Sequence, residues 1–205
     1  MPRLALTLCP LLYLGACASP PDAAGPTPTE MVRMETTAGH ILLALDRARA
    51  PISVANFLGY AERGAYVGTI FHRVIPAFVI QGGGYDAALV ERAKVDAAAG
   101  RPDQPIQNEW RNGLKNVRGT IAMARETEPN TATREFYINV ADNPKLDTAR
   151  ETTGDAGYAV FGRVVEGMDV VDRIRAGATR EIPEREMKDV PVDPVVIIRV
   201  RRAGR

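Results

Sequence analysis

Apolar and polar positions along most of this chain come in short bursts, each closed by Gly, Pro, Asn or Asp. Such bursts predict β-strands. MVRMETTAGHILLAL predicts a hairpin from Val32 to Leu45 with its turn at Thr37-Ala38-Gly39. TIFHRVI, FVIQG, GTIAMA, EFYINVA, YAVFGRVV and PVVIIRVR are further strand-like runs. Two stretches follow a helical period instead. In PISVANFLGYAERG (51–64), Val54, Phe57, Leu58 and Ala61 recur at three- and four-residue spacing, and Pro51 suits a helix start. VEGMDVVDRIRAG (165–177) predicts a second amphipathic helix with Gly177 as its stop. Residues 86–107 form an irregular, charged excursion, helical only from Ala87 to Ala99. Many short strands with two helices favour a barrel or sandwich over alternating βαβ units.

The N-terminus breaks this pattern. MPRLALTLCPLLYLGACASPP carries one early charge, Arg3, then the apolar stretch Leu4 to Leu14, then small residues. That order reads as a secretory leader rather than a first helix of the fold. Leu14-Gly15-Ala16-Cys17 resembles a bacterial lipobox, which makes residues 1–16 a lipoprotein signal peptide and Cys17 the lipidated N-terminus. An ordinary cleaved signal with a chance cysteine is the alternative. Residues 17–30 are rich in Pro and small residues and read as a tether, its last thirteen residues reaching about 40 Å. The folded domain is expected over 31–205. The only cysteines are Cys9 and Cys17, so the domain has no thiol pair for a disulfide or a metal site. Lys and Arg total 26 against 25 Asp and Glu, a balance that argues against a nucleic-acid partner.

Candidate chemistry concentrates in FHRVIPAFVIQGGGYD (71–86), where Arg73 stands in an otherwise apolar, β-prone run. A buried cation is costly unless paired. Either Arg73 lies at a barrel rim, or its charge faces a ligand. Gln81-Gly82-Gly83-Gly84 lacks the spacing and lysine of a phosphate loop. His40 and His72 are the only histidines, too few for a histidine-rich metal site, and His72 reads as a packed strand residue. Neither metal nor cofactor is expected.

FHRVIPAFVIQGG, GTIAMAR (119–125), EFYINVADNPKLD (135–147), YAVFGRVVEGMDVVDRI (158–174) and the tail VPVDPVVIIRV (190–200) are similar, in order and spacing, to the cyclophilin-type peptidyl-prolyl cis–trans isomerases. The small periplasmic bacterial members look closest. The resemblance covers roughly 31–202. It implies a mainly β fold, a closed eight-stranded antiparallel barrel capped by two α-helices, with an active groove on its outer face. It also implies roles. Arg73 matches the catalytic arginine and Gln81 a glutamine that orients the arginine and the peptide. Phe78, Val79, Tyr137 and Leu146 match proline-pocket positions, and Ala124 and Arg125 a segment that pairs with substrate backbone.

Five positions depart from the family pattern. The family usually has Ser-Gln-Phe-Phe where this chain has Arg134-Glu135-Phe136-Tyr137. Glu135 is therefore expected in the groove, near Arg73, where it either pairs with the guanidinium and competes with substrate or holds it in place. Glu135 is expected to reduce turnover. Tyr137 adds a hydroxyl that must stay wet or find a partner. Lys145 stands where inhibitor-sensitive relatives often carry Trp, and Tyr158 where eukaryotic relatives often carry His, which together imply weak cyclosporin binding. The expected protein is a lipid-anchored, periplasm-facing isomerase of the bacterial cell envelope. It would act on X-Pro bonds of unfolded or flexible polypeptides, as a monomer held to a membrane through Cys17. Ala18 after the lipidated cysteine favours the outer membrane. The rival readings are a proline-peptide-binding scaffold and a holding chaperone.

Overall fold

The computed structural model describes residues 29–204. The expected signal peptide, Cys17 and most of the expected tether lie outside the described residues. Among the described residues ten strands occur: β1 (Thr29–Thr36), β2 (Gly39–Asp46), β3 (Thr69–Val74), β4 (Val79–Asp86), β5 (Thr120–Met123), β6 (Phe136–Asn139), β7 (Val160–Glu166), β8 (Thr179–Ile182), β9 (Met187–Pro191) and β10 (Ile197–Arg202). Eight form one antiparallel sheet in the order β10-β1-β2-β7-β5-β6-β4-β3. Its two edges meet: Gly68 N–H donates to the Ile197 carbonyl at 2.9 Å, Phe71 N–H to that of Val195 at 3.2 Å, and Ile70 pairs with Val196. The seam is an isolated bridge rather than a full ladder, so the barrel is nearly closed, not fully closed as expected.

Along each strand, alternate side chains enter the barrel. Val32, Met34, Ile41, Leu43, Leu45, Phe71, Ile80, Ile121, Phe136, Ile138 and Phe161 form one buried core there. Helix α1 (Pro51–Glu62) adds Val54, Phe57 and Leu58 to it. The Phe57 ring stands edge-on to Phe136 at 5.5 Å and tilted against Phe161 at 5.3 Å. Ala50 caps the helix without a side-chain bond. A remote carboxylate takes over: Glu109 accepts from Ile52 N–H at 3.0 Å and Ser53 N–H at 2.7 Å, satisfying donors the first turn leaves free.

There are three α-helices among the described residues, not two. Helix α2 (Arg92–Ala98) occupies part of the 86–107 excursion. It is shorter than the expected 87–99, because the Asp86 carboxylate accepts from Ala88 and Val90 N–H and Leu89 turns at positive φ. Helix α3 (Met168–Arg175) starts three residues later than the pattern suggested. Val165 and Glu166 continue β7, and Gly167, at φ 90°, makes the turn that a side chain would disfavour. The β8–β9 ribbon went unread in the sequence, since β8 has only Ile182 buried and its polar residues show no alternation.

Candidate active site

One outward row of side chains builds the site. Register pairs Arg73 with Gln81, Gln81 with Tyr137, Tyr137 with Ala122, and Ala122 with Val160, across β3, β4, β6, β5 and β7. Outward positions normally face water. Here Val79, Ala122, Ala124, Tyr137, Leu146 and Val160 bury one another in a second apolar cluster, with Phe78, Leu114 and Tyr158 packed against it. Arg73 reaches this row through a bulge: the β3–β4 register shifts between Phe71 and Arg73, leaving His72 as the extra residue. Phe71 thus points into the core and Arg73 outward, which strict alternation would forbid. That resolves the cation in the apolar run. It is neither buried nor mispaired.

Arg73, Phe78, Val79, Gln81, Ala124, Arg125, Tyr137, Leu146 and Tyr158 enclose a recess of about 130 Å³. This is well below the roughly 300–1,000 Å³ of drug-sized pockets, and fits one small ring. A larger cavity, about 480 Å³, opens beside Arg49, Lys115 and Arg163, but no candidate residue lines it. Arg73 is 39% exposed at the rim. Its Nη1 donates to Gln81 Oε1 at 3.4 Å, and its Nε lies 4.0 Å from Asp189. Asp189 belongs to the unread ribbon and sits at φ 58°, a left-handed conformation aspartate tolerates.

Of the expected residues, Glu135 is placed differently. It does not pair with Arg73. Gln81 stands between them: Gln81 Nε2 donates to Glu135 Oε2 at 2.7 Å, and His72 Nε2 lies 3.4 Å from the same oxygen. Burial pushes the Glu135 carboxyl up, but His72 and Gln81, with the charge of Arg134, outweigh it and hold the group below its ordinary value. Tyr137 contributes its ring to the recess and sends its hydroxyl away to Asn116 Oδ1 at 2.7 Å. Burial raises this phenol well above its ordinary value, so it stays a neutral donor.

The Arg125 side chain is spent locally. It donates to the carbonyls of Glu126, Thr127, Thr153, Ala156 and Gly157 and lies over the Tyr158 ring at 4.4 Å. Leu146 sits on a 3-10 turn (Pro144–Asp147), fixed by Asp147 accepting from Asn116 Nδ2 at 2.8 Å. Sequence reasoning missed Ala122 and Val160, which strand alternation could have supplied, and Asp189, for which no signal existed. Among the described residues, no group of three or more His, Cys, Asp or Glu side chains is placed to hold a metal ion.

A nearly closed eight-stranded barrel with a small, apolar, arginine-rimmed recess on its outer wall defines a protein of the cyclophilin fold. The family model described as cyclophilin type peptidyl-prolyl cis-trans isomerase/CLD matches residues 31–202, and the chain belongs to that family. It is a peptidyl-prolyl cis–trans isomerase. Peptidyl-prolyl cis-trans isomerase A of Dickeya dadantii is 46% identical over 184 residues, 90% of each chain. Isomerase B of Escherichia coli is 45% identical over 167 residues, 82% of this chain and 96% of that one. A Cryptosporidium parvum cyclophilin-type isomerase superposes with a TM-score of 0.68 at 23% identity, covering 86% of this chain and 99% of its own.

Proposed function

We propose that the recess receives the proline ring of an X-Pro segment and that Arg73 is the catalytic donor. Rotation about the amide C–N bond costs about 18–20 kcal/mol because of its partial double-bond character. In the twisted state the prolyl nitrogen regains a lone pair. A donor aimed there stabilises the twisted state more than either planar one, which is the condition for catalysis. A guanidinium suits this role, being always charged and rigid in its donors. The carrying observation is that Arg73 sits at the edge of the apolar recess with no carboxylate closer than the 4.0 Å of Asp189 among the described residues.

A ten-thousandfold acceleration needs about 5.4 kcal/mol. One preorganised donor supplies roughly 3–4 of this. The walls formed by Phe78, Val79, Tyr137 and Leu146 supply the remainder by holding the ring while the amide turns. Because Gln81 separates Glu135 from Arg73, the carboxylate does not occupy the guanidinium and compete with substrate for it. The substrates are X-Pro segments of unfolded or flexible polypeptides in the cell envelope, with Cys17 as the membrane anchor. That location rests on the leader sequence MPRLALTLCPLLYLGAC.

The test is NMR exchange of an Ala-Pro peptide with the wild type and with Arg73→Ala. Acceleration lost in the variant is expected; a variant as fast as wild type would remove Arg73 from the mechanism. Incorporation of labelled palmitate into the full chain, absent in Cys17→Ala, tests the anchor.

A further inference from the structure

Behind the recess, four polar side chains form a line from the surface inward: Arg73, Gln81, Glu135 and His72. The chemistry of the two ends fixes the middle. A guanidinium only donates and a carboxylate only accepts. A glutamine between them therefore has one satisfied orientation, with Nε2 toward Glu135 and Oε1 toward Arg73. The distances follow that order, 2.7 Å from Gln81 Nε2 to Glu135 and 3.4 Å from Arg73 Nη1 to Gln81 Oε1.

Glu135 is itself held. His72, 4% exposed and tilted against the Tyr85 ring at 4.8 Å, lies behind the carboxylate, within 3.4 Å of Oε2. His72 Nδ1 is buried and has no partner among the described residues. Its Nε2 faces Glu135 Oε2, so an Nε2 proton has the carboxylate as its acceptor. On the other side, Gly84 leaves room: a Cβ on it would overlap Glu135 Oε1. The sequence has thus cleared a place for this carboxylate on β4 and backed it from β3.

We propose that Glu135 is a positioning residue that acts through Gln81: it locks the amide so that Oε1 faces the Arg73 guanidinium. The inference rests on Arg73 being the catalytic donor. A glutamine at position 135 could offer Gln81 either an acceptor or a donor, so the amide would occupy two orientations. In the second, Gln81 Nε2 faces Arg73 and the guanidinium is repelled from its place. The carboxylate removes that second state. This reverses the reading in which Glu135 depresses turnover by occupying the guanidinium itself.

Kinetics of Glu135→Gln and Gly84→Ala on a proline peptide, with NMR of the Arg73 guanidinium N–H groups, test it. Both variants displace or neutralise the same carboxylate from different strands. Each is expected to lower kcat roughly three- to tenfold with KM little changed, as a misplaced catalytic group does. Each is expected to shift and broaden the Arg73 N–H signals. In the double variant with Arg73→Ala, Glu135→Gln should cost nothing further. An unchanged or raised kcat in Glu135→Gln overturns the proposal, as does a full separate loss in the double variant. Should Glu135→Gln fold poorly, an unchanged kcat in Gly84→Ala decides against it. Wild-type speed in Arg73→Ala alone would instead sink the catalytic role of Arg73. The Arg73 signals would still report whether Glu135 holds the guanidinium.

Discussion

Two arginines, Arg73 on β3 and Arg134 just before β6, are held in opposite ways. Arg134 is 1% exposed and grips two carboxylates: Nε and Nη2 donate to Asp103 at 2.6 and 2.7 Å, and Nη2 to Asp96 at 2.6 Å. Burial works against its charge, yet Asp103 and Asp96 hold the guanidinium above its ordinary value. Arg73 is 39% exposed and touches only the neutral Gln81, at 3.4 Å, with Asp189 at 4.0 Å. A cation with two carboxylates in contact has little field left for a third group. One held by a neutral amide keeps its field for the groove. The arginine gripped by two carboxylates serves the fold, pinning α2 and the 86–107 excursion to the barrel; the half-paired one is free to act on a ligand.

The largest effect expected is on stability at Arg134. Arg134→Met leaves Asp96 and Asp103 inside with only the Arg101 and Arg63 contacts at 3.2 and 3.9 Å. Breaking a buried pair from one side costs about 3–5 kcal/mol. Urea unfolding should show that loss, and limited proteolysis should cut first between residues 92 and 103. Arg73→Ala should behave inversely, losing roughly a hundred- to thousandfold in rate while its unfolding free energy stays within about 1 kcal/mol, as for an exposed charge. Equal stability losses in the two variants would erase the distinction.

Acid sharpens the same contrast. The Arg134 hydrogen bond, foremost, holds the Asp96 carboxyl below its ordinary value despite burial. A depressed folded-state value means that the stabilisation is complete above the ordinary carboxylate range, near pH 4, and is lost as pH falls through the depressed value. Unfolding free energy should therefore be level near neutrality and fall below about pH 4. The fall should be shallower in Arg134→Met, where the pairing is already gone. An equally steep fall would assign the acid sensitivity to other carboxylates.

The contrast also marks what the sequence could tell. Arg73 stands out because its neighbours Phe71, Val74 and Ile75 are apolar, and the strand period then carries Val79 and Tyr137 to the same outer face. Arg134 does not stand out. Its partners Asp96 and Asp103 lie 38 and 31 residues away, in a segment that reads only as an irregular, charged excursion. Pairings of that separation leave no local trace. The same limit hid Asp189, brought to Arg73 by a ribbon with no alternation, and misplaced Glu135. The sequence shows that a carboxylate replaces a glutamine, but only the bulge at His72 decides that it faces Gln81 rather than the guanidinium.

The smallest expected effect separates wall from chemistry inside the recess. The Tyr137 ring faces the cavity with Arg73, while its hydroxyl points the other way, to Asn116. Tyr137→Phe removes that hydroxyl and little else. Asn116 Oδ1 keeps the Asn139 Nδ2 donor at 3.1 Å, so no acceptor is orphaned. The loss should be one ordinary hydrogen bond, about 0.5–1.5 kcal/mol of stability. Turnover should stay within about twofold, because the phenol makes no contact that differs between planar and twisted amide. A tenfold drop with the fold intact would mean that the hydroxyl reaches the reacting peptide. Arg73 would then share its role with a neutral donor, and the division between a paired arginine that builds and a half-paired one that acts would no longer describe the site.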